Sequence, residues 1–160
     1  MIPSLSVWAG SFSEVPMNCI FRRLAADDLP SVLEMNRTFR SGFLTEEGAS
    51  VFLADTRNWL WVGMIDNRII AFAYGYALDR LDGRRMLYLH EVGVAEEYQR
   101  QDIGTSLLET LKDECRMQSF HRIFLIAHQC NTAANALYRK CSGEVSCDSG
   151  GNDTTYMFFL

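Results

Sequence analysis

Apolar and polar positions along the chain fall into blocks of two periods. NCIFRRLA (18–25) alternates as a strand does. Asp27 and Asp28, just ahead of Leu29 and Pro30, mark a helix start with proline in its first turn. The spacing predicts a helix running to about Arg40 that buries Leu29, Val32, Leu33, Met35 and Phe39. A second helix is predicted from a Thr45 cap, with Glu46 and Glu47 at its positive end. WLWVGMID (59–66) and RIIAFAYGYAL (68–78) read as two strands joined by a tight Asp66-Asn67 turn. Beyond the polar loop LDRLDGRR, MLYLHEVGV (86–94) is apolar on both faces, as a central strand is.

The turn within EEYQRQDIGTSLL (96–108) then leads into a helix from about Gly104 to Gln118, whose buried stripe is Leu107, Leu108, Leu111 and Cys115. HRIFLIAH (121–128) predicts a buried strand, Asn131 caps the short helix TAANALYRK, and two strands flank CDSGGND, the last being TYMFFL. The order is strand, two helices, three antiparallel strands, helix, strand, helix, two strands. That is a mixed α/β domain over residues 18–160, with residues 1–17 expected as a flexible extension and Met17 as an alternative start. A chain of 160 residues accommodates one such domain.

Charge narrows the partners. The net charge is −5 and no basic block occurs, which argues against nucleic acid and suits a cationic ligand. No apolar run approaches the ~20 residues of a membrane span. The opening MIPSLSVWAGSFSEVPMN has no basic start and no continuous apolar stretch, so it makes a poor signal peptide. Five cysteines without CxxC spacing read as reduced thiols of a cytoplasmic protein, with neither a disulfide framework nor a metal site.

The turn after the central strand carries the candidate chemistry. First-turn N–H groups of a helix have no partner within it, and the helix dipole adds positive charge, so the site suits an anion such as a phosphate. Within Gln99, Arg100, Gln101, Asp102, Ile103 and Gly104, the carboxylate of Asp102 is unexpected where a second glycine would serve.

The strand LHEVGV, this turn, and the later run Asn131…Ala134…Leu137-Tyr138-Arg139-Lys140 together resemble the GCN5-related N-acetyltransferase (GNAT) superfamily. Its loop pattern is Gln/Arg-x-x-Gly-x-Gly/Ala and its later signature is Asn-x-x-Ala-x-x-Leu-Tyr-x-Lys with a following glycine. Within it, the run from Ala73 through Val94 is most similar to aminoglycoside 3-N-acetyltransferases, although Asn131 and Thr132 stand where those often carry an acidic pair. The resemblance implies a GNAT fold, a mixed central sheet with splayed fourth and fifth strands flanked by helices. It implies acetyl-CoA as donor, and a small cationic amine, an aminoglycoside, as acceptor. A polyamine, an amino acid or a protein N-terminus is the alternative acceptor, and a non-catalytic acyl-CoA module the alternative class. A homodimer is possible by the same likeness, through an exposed final strand.

The resemblance also assigns roles. Backbone amides from Gln99 to Gly104 would hold the coenzyme's diphosphate, helped by the hydroxyls of Thr105 and Ser106. Val92, Gly93 and Val94 would grip the pantetheine, with the Val92 N–H as oxyanion donor. Tyr138 would protonate the departing thiolate, and Asn131 and Lys140 would contact the cofactor. Glu91 would dock and deprotonate the amine. His90 falls on the opposite face of an unbulged strand, and a bulge would let either reach the cleft. Glu46, Glu47, Asp79 and Asp82 would line an acidic mouth. Asp102 matches the first loop glycine, and its carboxylate is expected to weaken binding of the coenzyme, with Arg100, Arg139 or Lys140 offsetting the repulsion. Ser142 takes a glycine's place in the later signature, with Gly143 expected to supply the turn.

Overall fold

Two interior strands organise the molecule. In the computed structural model, which describes residues 15–147 and 149–160, β2 (Asn58–Ile65) and β3 (Arg68–Asp79) are buried on both faces through most of their length. They join through Asp66 and Asn67, both at positive φ (48° and 62°), the backbone of a tight primed turn. Trp59 and Trp61 turn to one side of the sheet, and Leu60, Val62 and Met64 to the other.

Around them stand β1 (Ile20–Arg23), β4 (Arg85–Val94), β5 (Arg122–His128), β6 (Glu144–Val145) and β7 (Asp153–Phe159). The sheet order is β1-β2-β3-β4-β5-β7-β6, which makes β4 the middle strand. Every pair is antiparallel except β4 with β5. The last long strand is therefore interior, flanked by β5 and the two-residue β6, and not the free edge expected of TYMFFL.

One core lies between the sheet and α4 (Ile103–Met117) and α5 (Thr132–Lys140). Ile103, Leu107, Leu108 and Leu111 are almost fully buried there, each contributing about 2 kcal/mol by burial. That stripe fixes the N-terminus of α4 against β4. The other core lies under α1 (Leu29–Leu33), α2 (Met35–Thr38) and α3 (Glu46–Ala54). Thr45 caps α3 by accepting from the Gly48 N–H at 3.1 Å. The long helix expected to Arg40 is instead α1 and α2, parted at Glu34 (φ −64°, ψ −18°) and closed by Arg40 at φ 50°. HRIFLIAH is buried on one face only, since Ile126 is half exposed.

Residues 1–14 of the expected extension lie outside the described residues, while Val15 packs against the core. Among the described residues Cys19, Cys115, Cys130 and Cys141 are free thiols, no acidic, histidine and cysteine cluster is placed to hold a metal, and no helix is long and apolar enough to cross a membrane.

Candidate active site

Strands β4 and β5 pair from Met86↔Arg122 to Leu89↔Leu125 and then part. Beyond that point β4 continues through Glu91–Val94 and β5 through Ile126–His128 with no rungs between them. The Ala95 N–H bonds Ile70 O on β3 at 2.8 Å. Strand alternation then aims the Val92 and Val94 N–H groups the other way, into the gap.

A bulge accompanies the parting. Tyr74 pairs with Glu91 and Gly75 with Leu89, so His90 is the extra residue. Gly75 permits it, because a Cβ there would lie 1.9 Å from the Tyr88 carbonyl oxygen. The shift places Tyr88 and Glu91, three residues apart, on the same face as Tyr74 and Tyr76. His90 reaches that face too, its ring 5.3 Å from Tyr74 and its Nδ1 3.3 Å from the Tyr88 hydroxyl.

On this face a cavity of about 560 Å³ opens between β3–β4 and the helices α1–α3. Glu91, Gly93 and Val94 form one wall, and Phe72, Tyr74 and Tyr76 the next. Glu91 is the one charged residue among the described residues of the lining. Burial first, and then the Glu91 carboxylate, push the Tyr74 phenol up to about 12. Gly93 keeps the wall close, since a Cβ there would meet the Phe72 ring at 2.5 Å.

The turn before α4 follows the parted end of β4. Arg100 (φ 58°) and Asp102 (φ 57°) both take left-handed backbone, which aspartate tolerates better than most residues. Asp102 is the N-cap residue of α4, and its carbonyl accepts from the Ser106 N–H at 3.0 Å. The N–H groups of Ile103, Gly104 and Thr105 therefore have no acceptor within the helix. Gln99 Nε2 donates to Val94 O, and Gln101 Nε2 to Glu97 O, each at 3.1 Å, which ties the turn to the strand. The Asp102 carboxylate is paired: Lys140 Nζ lies 2.5 Å from Oδ1. Thr105 is half-buried beside the Cys141 thiol, and Ser106 is half-buried in the first turn.

Helix α5 follows β5, and its Leu137 side chain would meet a Cβ at Gly104 of α4 at 3.3 Å. Asn131 Oδ1 caps it by accepting from the Ala134 N–H at 3.1 Å. Tyr138 is buried against Tyr156, with ring centroids 5.4 Å apart, yet among the described residues its hydroxyl has no hydrogen-bond partner. Burial, then Cys141 and Glu91, raise this phenol to about 12. Asn135, which the sequence reading passed over, donates from Nδ2 to His128 O (3.0 Å) and Asn131 O (2.7 Å) and accepts from the Tyr156 hydroxyl (2.7 Å). Its spacing four residues after Asn131 was the available signal. Ser142 itself takes the left-handed turn (φ 65°), so Gly143 does not supply it. Gly143 is needed for space instead, a Cβ there lying 2.9 Å from Tyr138 O.

The remaining acidic candidates stand elsewhere. Asp79 pairs with Arg85 (2.6 Å), and Asp82 with Arg80 (3.0 Å) and Arg84 (3.3 Å), in the β3–β4 hairpin. Asp79 is five residues from Tyr74, about 17 Å along the strand, and neither aspartate lines the cavity. Glu46 and Glu47 are exposed and only flank the lining residues Thr45 and Gly48.

Residues 29–143 match the acetyltransferase (GNAT) family model. Among solved structures, the aminoglycoside acetyltransferase meta-AAC0020 from an uncultured soil metagenomic sample, in complex with sisomicin, is 20% identical with a TM-score of 0.75, over 84% of this chain and 95% of that one. The paia N-acetyltransferase from Thermoplasma acidophilum, in complex with coenzyme A, is 18% identical with a TM-score of 0.65, over 90% and 100%. The ribosomal-protein-alanine N-acetyltransferase from Brucella melitensis biovar Abortus 2308 is 16% identical with a TM-score of 0.67, over 83% and 96%. No curated protein matches the chain. At these identities the structural likeness speaks for the fold. With the family model matched over most of its length, the chain belongs to the GNAT family of acetyltransferases, as an N-acetyltransferase with acetyl-CoA as its donor.

Proposed function

We propose that the acceptor is a primary amine of a small cationic molecule, received in the cavity beside Glu91. The observation that carries this reading is Glu91 itself. It is the one charge among the described residues of the lining, carried by a bulge onto the cavity face, one residue before the strand edge that opens on the gap. An ammonium must be held and must lose a proton before it can attack, and a carboxylate serves both needs.

The gap and the turn fit the donor. First-turn amides of Ile103, Gly104 and Thr105, with the neighbouring N–H groups of Arg100, Gln101 and Asp102, suit a diphosphate, whereas the Gln99 N–H is engaged by Glu96 O at 3.3 Å. The Thr105 and Ser106 hydroxyls lie in the same first turn and Lys140 stands beside it, while Asn131, at the other end of α5, would meet the coenzyme elsewhere along its length. Val92 and Val94 present backbone groups to the gap while those of Gly93 face Phe72 on β3, and the Val92 N–H would stabilise the developing oxyanion, an interaction typically worth about 3 kcal/mol. Bound acetyl-CoA supplies the activated thioester. The Tyr138 hydroxyl, protonated throughout the neutral range, offers its proton to the sulfur as it departs.

An aminoglycoside acceptor is the second reading, favoured by the net charge of −5 and by the exposed Glu46 and Glu47 beside the lining. Purified chain with acetyl-CoA and a panel of amines, followed by a thiol reagent, tests both. Release of CoA that depends on an amine supports acetyl transfer, and release with kanamycin-type or gentamicin-type amines selects the second reading. No release with any amine refutes the acceptor assignment.

A further inference from the structure

We infer that the acceptor carries one ammonium on an apolar alkyl or aryl body, not several charges on a polar one. This rests on the amine acetylation proposed above and adds the chemical class of the acceptor. Past Glu91 the walls turn apolar and aromatic. Phe52 stands edge-on to Tyr74 (5.7 Å, 89°) and to Tyr76 (5.9 Å, 70°), while Phe72 stacks with Tyr74 (6.3 Å, 23°). These four rings border the space beside the carboxylate, where a ring face can also receive a cation. Val32, Met35 and Leu60 close the cavity with aliphatic surface. At the mouth, Phe43 is 92% exposed, an apolar side chain left for a ligand to cover.

Within the described lining a polycation meets no second counter-charge. Asp79 and Asp82 are engaged with arginines in the distant hairpin. Glu96 lies 3.7 Å from Arg40 and Glu97 lies 3.1 Å from Arg68. Glu46 and Glu47 stand outside the lining. A second ammonium drawn into the cavity would lose its water without gaining a counter-charge, and buried charges without partners are strongly disfavoured. A volume of about 560 Å³ is instead ample for an arylethylamine or a medium-chain alkylamine.

The test compares kcat/KM at saturating acetyl-CoA for butylamine, hexylamine, octylamine, phenethylamine, spermidine, kanamycin and a short peptide with a free N-terminus. The expected result is a rise of roughly three- to fourfold per methylene from butylamine to octylamine. Phenethylamine and octylamine should exceed spermidine and kanamycin by about 100-fold. A flat methylene series, or spermidine, kanamycin or the peptide matching the best monoamine, overturns this inference and leaves amine acetylation standing. No CoA release with any amine overturns both.

Discussion

Lys140 Nζ lies 2.5 Å from Asp102 Oδ1, joining the last turn of α5 to the residue that caps α4. Both side chains are about half exposed (56% and 44%), so the pair itself contributes no more than ~1 kcal/mol to stability. Its weight lies in what it would do to a phosphate held at the start of α4. It cancels much of a carboxylate that would repel a phosphate about 4 Å away by ~1 kcal/mol in water, and it occupies a cation that a phosphate would otherwise attract.

Asp102→Gly should therefore tighten CoA roughly three- to tenfold by calorimetry. Glycine keeps the left-handed backbone at this position without strain, and Lys140 is released. Lys140→Met should weaken CoA in the parent chain, because Asp102 is then left unopposed. Unchanged or weaker CoA binding by Asp102→Gly would refute the repulsion.

Glu91→Gln should lower kcat/KM for an amine by about 100-fold at pH 7, in the range of general-base effects. The deficit should shrink as pH approaches the amine's own pKa near 10, where solution supplies the free base. A pH–rate series checks this, and a deficit of constant size from pH 7 to 10 would reduce Glu91 to a docking charge.

Tyr138→Phe should cost kcat about 10²- to 10³-fold while CoA affinity changes less than about twofold, since its hydroxyl bonds no described residue. The same substitution has a stability signature. An ordinary tyrosine ionises near 10 and Tyr138 in the fold near 12, so its burial contributes fully below pH 10 and is lost as pH rises toward 12. Thermal melts at pH 8 and pH 11 should show a smaller alkaline drop in the variant. An equal drop would mean that Tyr138 is already ionised in the folded chain.

Gly75→Ala should destabilise the fold by about 1–3 kcal/mol, as overpacked interiors do. Its methyl has no room beside the Tyr88 carbonyl. Urea melts give the cost, and the bulge that turns Glu91 should suffer with it, raising KM for the amine. A variant with parental stability would show that the bulge forms without this close approach.

The turn and the α5 signature were legible because both are local. Asp102, Asn131 and the Asp66-Asn67 turn reveal their backbone through residue type alone. The face of Glu91 was not legible. Strict alternation sends His90 and Glu91 to opposite sides, and the bulge that reunites them depends on Gly75 of a neighbouring strand. A glycine inside a strand pattern, between Tyr74 and Tyr76, was the available cue. The apolar walls of the cavity come from α1, α3 and β3 together, a convergence that no local window contains. Asp79 and Asp82 looked like an acidic mouth because sequence proximity to β4 hides the length of a hairpin.

Because β4 and β5 share only the rungs from Met86 to Leu89, the sheet is two wings stitched by a short seam. One wing carries the cavity beside Glu91, and the other anchors Tyr156, against which Tyr138 leans. Altering the stitching would thus change the separation of Glu91 and Tyr138 without touching either one.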